Sequence, residues 1–399
     1  MQSDGVSPNA VTFICSLRAC ANMVSLQQGH EMHNHIIAMG FEKALFIGNT
    51  LLDMYAKCGS VIEAHVVFDD LAVRDVVSWS ALIAGYADLG LHQQALDLFE
   101  EMQLEGINPN EFSWNAVILG VANQEKNESA FSLYLQMQEK GQLPDVMTFA
   151  SVLKAFGNAT TLQNGKRIHS QVYREVFNES EIVVATALID MYGKCGGMIE
   201  AQEVFDSMQS KDLVAWSAMI TGYTRQGEVE SVFSTYERMQ DEGLQPDEAT
   251  FLSVLNSCSH VGLVDKGWKY FESMSKANAN SITIKHLNCM VDLLGRAGRL
   301  DEAILILKGM PFKSDISTCC TILNACRIWG NIKIGRHIFE DAIRSDRKHQ
   351  TPYILMYNIY ADAHMWKKAK EIQEMYAEVQ GKDVSGQSWI NIDGYFMHI

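Results

Sequence analysis

Two pairs of matching segments decide the fold of this chain. TLLDMYAKCG at Thr50–Gly59 returns as ALIDMYGKCG at Ala187–Gly196, and VVSWSALIAG at Val76–Gly85 returns as LVAWSAMITG at Leu213–Gly222. Both matches are separated by the same 137 positions. One shared offset indicates a duplicated block, which is typical of repeat architectures.

The duplicated block subdivides into repeats of 31 to 36 residues. Each repeat contains two segments with the helical i, i+3, i+4 spacing of apolar residues, as in SWSALIAGYADLG followed by HQQALDLFEEMQLEG. A single helix pair cannot bury its apolar face, so neighbouring pairs must stack. The sequence therefore predicts an all-α fold, a right-handed α-solenoid of two-helix repeats. Its nine repeats are 10–44, 45–75, 76–110, 111–145, 146–181, 182–212, 213–247, 248–283 and 284–315.

Composition excludes several classes of protein. The 399 residues are 47% hydrophobic, which excludes general disorder, and no apolar run approaches the roughly 18 residues of a membrane span. Met1–Asn9 contains Asp4 and no Arg, so it resembles neither a signal peptide nor a transit peptide. Because the predicted end of a repeat occupies this stretch, we expect the N-terminus of a longer protein to be missing.

Cysteine and histidine patterns predict no metal site, no cofactor and no catalytic residue. The nine cysteines include no CxxC pair and are interpreted as small buried hydrophobic residues. The His30–His33 stretch has neither the HExxH nor the HxE spacing and is interpreted as a solvated helix face. Trp79, Trp114 and Trp216 recur at one position of the repeat and are predicted core residues.

The repeat length and several motifs resemble the pentatricopeptide repeat family. LIDMYGKCG, RMQDEGLQPD and MVDLLGRAGRLDEA (Met290–Ala303) carry this resemblance, and the alternating repeat lengths resemble the plant-type subclass with long, short and standard repeats. Tetratricopeptide repeats have a similar length but do not predict repeats that end in Pro-Asp or Pro-Asn, as at Pro144-Asp145 and Pro109-Asn110.

The resemblance also implies a domain organisation. Residues 1–9 are the end of a truncated repeat, 10–315 the repeat array, 316–383 two extension motifs like those of organellar RNA editing factors, and 384–399 a remnant of the Ser-Trp-Ile box. A cytidine deaminase domain often follows in relatives, and it binds zinc through an HxE segment and a CxxC pair. Because this chain has neither, we expect it not to be an enzyme.

In this family each repeat reads one base of a single-stranded RNA through its fifth and last residues. The resemblance assigns Asn49 with Asp75 and Asn115 with Asp145 to U, Ser80 with Asn110 to A, Thr186 with Asp212 and Ser217 with Asp247 to G, and Asn288 with Asp315 to a pyrimidine. The long repeats, with Ile14, Ala150 and Leu252 at the fifth position, should specify little. The expected RNA is 5′-UAU-N-GG-N-(U/C). The alternative for each terminal Asp or Asn is a role as helix N-cap alone.

Positive charge and apolar surface are the other requirements for RNA binding. The net charge of −16 is unfavourable overall, but the family places phosphate contacts at the thirteenth position, here Lys57, Lys194, Arg225 and Arg296. These cations have the alternative role of complementing a helix dipole. Apolar second residues such as Phe46 and Phe112 either clamp bases or pack in the core.

Three functions remain open at this point. The first is a sequence-specific RNA-binding factor for organellar C-to-U editing, whose partners are single-stranded RNA and a deaminase-bearing protein acting in trans, with no membrane involved. The second is an RNA-binding protein that stabilises or processes organellar transcripts without editing. The third is a protein–protein scaffold, and acidic charge on the concave face of the solenoid would favour it. The expected location is the mitochondrion or the plastid.

Overall fold

The computed structural model describes residues 8–124, 126–159, 162–175, 181–277, 282–309, 316–380, 389–392 and 395–398. By its internal contacts the chain divides into an N-terminal half, Met1–Lys211, and a C-terminal half, Asp212–Ile399. This division falls one residue before the predicted start of repeat 213–247.

The described part of the N-terminal half consists of twelve helices. They are α1 Ala10–Asn22, α2 Leu26–Ala38, α3 Leu45–Lys57, α4 Val61–Asp70, α5 Val76–Asp88, α6 His92–Leu104, α7 Glu111–Asn123, α8 Asn127–Glu139, α9 Val146–Ala159, α10 Leu162–Glu175, α11 Glu181–Cys195 and α12 Met198–Ser207.

The described part of the C-terminal half has ten helices and a short hairpin. The helices are α13 Leu213–Gln226, α14 Val229–Asp241, α15 Glu248–Val261, α16 Val264–Ala277, α17 Ile284–Arg296, α18 Leu300–Gly309, α19 Ile316–Ile328, α20 Ile332–Ser345, α21 Gln350–Asp362 and α22 Trp366–Gln380. Strand β1, Trp389–Ile392, then pairs antiparallel with β2, Tyr395–His398, and Ile392 lies opposite Tyr395. This hairpin departs from the all-α prediction at the C-terminal end of the chain.

Helices alternate between two roles in each half. The first helices of successive repeats pack on one another in chain order, α1 to α11 in the N-terminal half and α13 to α21 in the C-terminal half. Each first helix also packs against the second helix that follows it. The prediction of an all-α solenoid of two-helix repeats is therefore confirmed, and the same packing continues through α19 to α22.

Local signals place the helix ends. Asp75, Asn110 and Asp247 have extended backbones and cap α5, α7 and α15 by accepting a backbone N–H from the third residue of the helix. Gly227 ends α13 with φ of 73°, in the left-handed region that a residue without a Cβ enters at no steric cost. Each repeat is therefore delimited by its own sequence.

Large aromatic side chains fill the space between the helices. Trp79, Trp114 and Trp216 are fully buried, as the sequence predicts. Trp79 meets Phe68 edge-on with ring centroids 4.7 Å apart, and Trp114 meets Phe99 in the same way at 4.7 Å. In both cases a second helix contributes the Phe to the first helix of the next repeat, so these pairs join neighbouring repeats.

The interpretation of the His30–His33 stretch as a solvated face is wrong. His33 Nδ1 lies 2.8 Å from the Tyr55 hydroxyl and His30 Nδ1 lies 3.2 Å from the same atom. Burial lowers the pKa of His33 and raises the pKa of Tyr55 to about 12. The histidines thus connect α2 to α3 through hydrogen bonds that a helix-face pattern does not reveal.

The nine cysteines differ in their environments. Cys20, Cys258, Cys319 and Cys326 are buried, whereas Cys15 is exposed. Burial raises the pKa of the Cys326 thiol to about 12. The interpretation as buried hydrophobic residues thus fails for Cys15.

Candidate nucleic-acid interface

The first predicted base-reading pair is joined by a hydrogen bond. Asn49 lies on the first turns of α3, and Asp75 precedes α5, the first helix of the next repeat. Because α3 packs against α5, the two side chains meet, and Asn49 Nδ2 donates to Asp75 Oδ1 over 3.1 Å. Residues 26 positions apart thus form one polar unit at the junction of two repeats.

Asp75 combines this contact with helix capping through a single oxygen. Its Oδ1 also accepts the backbone N–H groups of Val77 at 3.0 Å and Ser78 at 2.9 Å. Burial opposes the charged form of Asp75, but the hydrogen bonds from Ser78, Asn49 and Val77 outweigh it and lower the pKa of this carboxyl. All these bonds go to Oδ1, so Oδ2 remains as a charged acceptor.

Asn115 and Asp145 repeat this arrangement two repeats further on. Asn115 Nδ2 lies 3.0 Å from each carboxylate oxygen of Asp145. Asp145 Oδ1 accepts the backbone N–H of Thr148 at 2.7 Å, which caps α9. Capping and pairing therefore coexist in these residues, and neither excludes the other.

The Ser80–Asn110 pair has a different polarity. Asn110 Oδ1 accepts the Ser113 N–H at 3.0 Å and lies 3.0 Å from the Ser80 hydroxyl. Since capping requires an acceptor, the amide must turn its oxygen toward the helix and its Nδ2 away from it. Ser80 also donates to the Val76 carbonyl oxygen at 2.6 Å and is only 8% exposed, so Asn110 supplies most of the accessible polar surface.

The Ser217–Asp247 pair in the C-terminal half has the same geometry with a carboxylate. Ser217 donates to Asp247 Oδ1 over 3.0 Å, and the same oxygen accepts the Thr250 N–H at 2.8 Å. Ser217 is 7% exposed. The Asp247 atom that does not cap the helix is therefore Oδ2, which is an acceptor. In the Ser80–Asn110 pair the corresponding atom is Nδ2, which is a donor.

The two remaining predicted pairs are Thr186 with Asp212 and Asn288 with Asp315. Thr186 lies in the N-terminal half, where its hydroxyl oxygen is buried without a hydrogen-bond partner among the described residues. Asp212 belongs to the C-terminal half and caps α13 through the Ala215 N–H at 2.9 Å. Asp315 lies outside the described residues, and its predicted partner Asn288 accepts a hydrogen bond from the Thr318 hydroxyl.

The apolar second residues of the first helices are exposed. Among them Phe46 is 79% exposed, Phe112 67% and Met147 52%. Val11, Val77, Val183 and Val214 occupy the same position of their repeats and are also exposed. The core-packing interpretation of this position is therefore wrong, since each of these side chains lies on the surface.

Three of the four predicted phosphate-binding cations are paired with carboxylates. The i,i+4 ion pairs are Lys57–Asp53 at 2.9 Å, Lys194–Asp190 at 2.6 Å and Arg296–Asp292 at 2.9 Å. The sequence signal for these pairs was the Asp four residues before each cation, which the sequence analysis missed.

Arg225 differs from the other three cations. It is exposed, and Thr221 replaces the Asp of the other repeats four residues earlier. The Lys57–Asp53 and Arg296–Asp292 pairs are partly exposed to solvent, and pairs of this kind contribute only about 0–1 kcal/mol. These two cations are therefore able to exchange a carboxylate for a phosphate at little cost, whereas the Lys194 side chain is only 16% exposed.

The described part of the chain contains no group of three or more His, Cys, Asp or Glu side chains that is suited to a metal ion. In the same residues, every helix is too short or too polar to cross a bilayer.

Sequence comparisons identify the repeats. The profile of the PPR repeat family matches residues 74–123, 109–158 and 211–260, and that of the PPR repeat matches 49–76, 183–213, 249–278 and 286–313. Together these matches cover more than half of the chain.

Related proteins occur in Arabidopsis thaliana. A pentatricopeptide repeat-containing protein named as mitochondrial is 33% identical over 392 residues, covering 98% of this chain and 56% of its own. One named as chloroplastic is 32% identical over 396 residues, covering 98% and 48%. The chain thus spans about half the length of the curated relatives it matches.

Solved structures show the same fold. The maize pentatricopeptide repeat protein PPR10, crystallised with an 18-nt psaJ RNA element, superposes with a TM-score of 0.67 at 18% identity. The match covers 96% of this chain and 65% of that one. With its helical pairs and repeat profiles, the chain belongs to the pentatricopeptide repeat family.

Proposed function

We propose that this chain is a sequence-specific single-stranded RNA-binding protein that performs no chemistry itself. The observation that carries the proposal is the arrangement of hydrogen-bond donors and acceptors at the junctions between repeats. At each described junction that ends in Asp or Asn, one atom of that residue caps the next helix, and the other atom is available to a base. In Asp145 this other atom also accepts a hydrogen bond from Asn115. The atom available to a base is an acceptor in Asp and a donor in Asn.

This polarity accounts for the assignment of purines. Guanine presents N1–H and N2–H donors on its Watson–Crick edge, which suit Asp247 Oδ2, whereas adenine presents the N1 acceptor, which suits Asn110 Nδ2. The fifth residues of these pairs, Ser80 and Ser217, are short and nearly buried, which leaves room for the larger ring system.

The Asn–Asp pairs suit uracil in the same terms. Asn49 and Asn115 are longer and half-exposed, so they fill space that a purine needs. The second N–H of the Asn amide faces the O4 or O2 acceptor of uracil, and the Asp carboxylate accepts its N3–H. Cytosine has an unprotonated N3, which the carboxylate repels. The exposed second residues, such as Phe112 and Val77, supply apolar contacts to the base faces.

The function of the whole protein is proposed from the resemblance of 316–383 to the extension motifs of editing factors. The protein directs C-to-U editing of an organellar transcript, and a deaminase acts in trans or from another part of the same protein. Relatives named as mitochondrial and chloroplastic support an organellar location. Binding without editing would favour transcript stabilisation or processing instead.

Selection of RNA from a random pool tests the proposal directly. We expect enrichment of 5′-UAU-N-GG-N-(U/C), with the repeats parallel to the strand and the edited C a few nucleotides downstream. Enrichment of no sequence, together with tight binding of a protein, would support the scaffold alternative and overturn the proposal.

Phosphate contact is tested most cleanly at Arg225. Arg225→Ala should weaken binding to all sequences about equally and reduce the salt slope by about 0.7, the value for one phosphate contact on a single strand. The control is Lys276→Ala, since Lys276 lies at the end of a second helix and is 81% exposed in its side chain. Equal salt slopes for both variants would mean that Arg225 only complements the helix dipole.

A further inference from the structure

In five of the described repeats, the side chain of the fifth residue forms a hydrogen bond with a buried hydroxyl group. It belongs to the third residue of the next first helix, one turn after the cap. Each of these hydroxyl-bearing residues is essentially inaccessible to solvent. The pairs of fifth and third residues are Asn49–Ser78, Ser80–Ser113, Asn115–Thr148, Ser217–Thr250 and Asn288–Thr318.

The bonds to Asn side chains are short and directional. The Ser78 hydroxyl lies 2.6 Å from Asn49 Oδ1 and 3.0 Å from Asp75 Oδ1. The Thr148 hydroxyl lies 2.6 Å from Asn115 Oδ1 and 2.8 Å from Asp145 Oδ1. Each hydroxyl has a single proton, which it donates to the nearer oxygen, that of the Asn amide. On the other side of each amide, Nδ2 donates to the terminal Asp. A donor on the oxygen and an acceptor on the nitrogen together allow one orientation of the amide.

The residue types at the two positions vary together in eight of the nine repeats, the exception being Thr186, whose counterpart is Ala215. Where the fifth residue is apolar, as at Ile14, Ala150 and Leu252, the third residue of the next first helix has no hydroxyl. Those third residues are Ile47, Val184 and His286.

Capping by itself does not require the hydroxyl. Asp212 caps α13 through the Ala215 N–H at 2.9 Å, although Ala215 occupies the third position and has no polar side chain. The hydroxyl is therefore not needed for the cap. The repeat that ends in Asp212 is also the one whose polar fifth residue, Thr186, has a buried hydroxyl with no hydrogen-bond partner among the described residues.

From this arrangement we infer that Ser78 and Thr148 are positioning residues for base selection, and that their hydroxyls hold the Asn49 and Asn115 amides with the N–H side toward the base. The inference rests on the proposed function, because it concerns how that function discriminates U from C. Without the hydroxyl, a half-buried Asn oxygen loses its donor and turns toward whatever donor is available. The N4 amino group of cytosine is such a donor, so the pair would accept cytosine more readily.

The test is the U-to-C selectivity of Thr148→Val at the base read by repeat 111–145. Dissociation constants are measured for two oligonucleotides that differ only at that base. We expect the ratio of C to U dissociation constants to fall by about tenfold, the size of one good base contact. Selectivity for A at the neighbouring base, read by Ser80 and Asn110, should stay unchanged. Thr148→Ser should restore the ratio because it restores the hydroxyl.

Two further variants separate positioning from capping. Thr12→Val removes an equivalent hydroxyl that donates to the cap residue Asn9 over 2.9 Å but contacts no fifth residue among the described residues, so it should leave every ratio unchanged. Ser78→Ala makes the same test at Asn49 and is the substitute if Thr148→Val does not give the helical circular dichroism spectrum of the unaltered protein.

The possible results are distinguishable. If the unaltered protein does not prefer U at these bases, the proposed function fails. If it prefers U, and Thr148→Val or Ser78→Ala weakens U and C binding alike with the ratio preserved, the proposed function stands and the positioning role is overturned.

Discussion

Asp247→Asn is expected to move the preference of repeat 213–247 from guanine to adenine. The variant Asn keeps an oxygen to accept the Thr250 N–H, so the cap on α15 survives, and it replaces Oδ2 with an N–H donor. Asn and Asp are nearly equal as N-caps, so the free energy of unfolding should change by less than about 0.5 kcal/mol. One good base contact contributes about 1–3 kcal/mol, so the guanine-to-adenine preference should change roughly 5- to 150-fold.

The reciprocal change in the N-terminal half is the matched control. Asn110→Asp should move the preference of repeat 76–110 from adenine to guanine for the same reason. Affinities of both variants would be measured on four oligonucleotides with A or G at each of the two bases. If both variants lose affinity for A and G equally, these residues act only as caps and the polarity argument fails.

Trp114→Ala is expected to cost about 3–5 kcal/mol of stability, the largest effect of any change considered for this chain. Trp114 is fully buried against Phe99 of the preceding repeat, so its loss leaves a cavity at the junction of two repeats. Trp114→Phe should cost far less. It keeps an aromatic ring and removes an indole N–H that has no hydrogen-bond partner among the described residues.

The chain itself supports the second part of this prediction. Phe149 occupies the position of Trp114 in repeat 146–181 and is fully buried there. Urea unfolding followed by circular dichroism, with hydrogen exchange at α7, would measure both variants, since repeat arrays lose structure locally. Equal destabilisation by Phe and Ala would show that the indole ring has a specific role beyond filling space.

Helix positions were predictable because their signals are local. The apolar spacing of Ser80–Tyr86, the cap at Asp75 and the glycine at Gly90 all lie within a few residues of the helix that they specify. The burial of Trp79 and Trp114 followed from the same pattern, since a repeated large aromatic residue on an amphipathic helix faces its neighbours.

The surface role of the second residues was not predictable in this way. Phe46 and Phe112 are as apolar as the core residues beside them, and composition alone assigns both kinds to the interior. They are exposed because, in the folded chain, the first turn of each of these helices points them toward the surface. The Asp53–Lys57 pair, by contrast, was readable from its i,i+4 spacing.

By itself the sequence determined the repeat period, the helix pairs and the caps, because each depends on neighbours along the chain. The candidate base-reading residues came from the resemblance to the pentatricopeptide repeat family. Only the tertiary structure decided which atom of each of those residues makes the hydrogen bonds that cap and join the helices. Asn115, Asp145 and Thr148 meet across about 30 positions because successive first helices pack side by side. These hydrogen bonds determine which donor or acceptor remains available to a base. That choice depends on the geometry of the packed helices rather than on residue type alone.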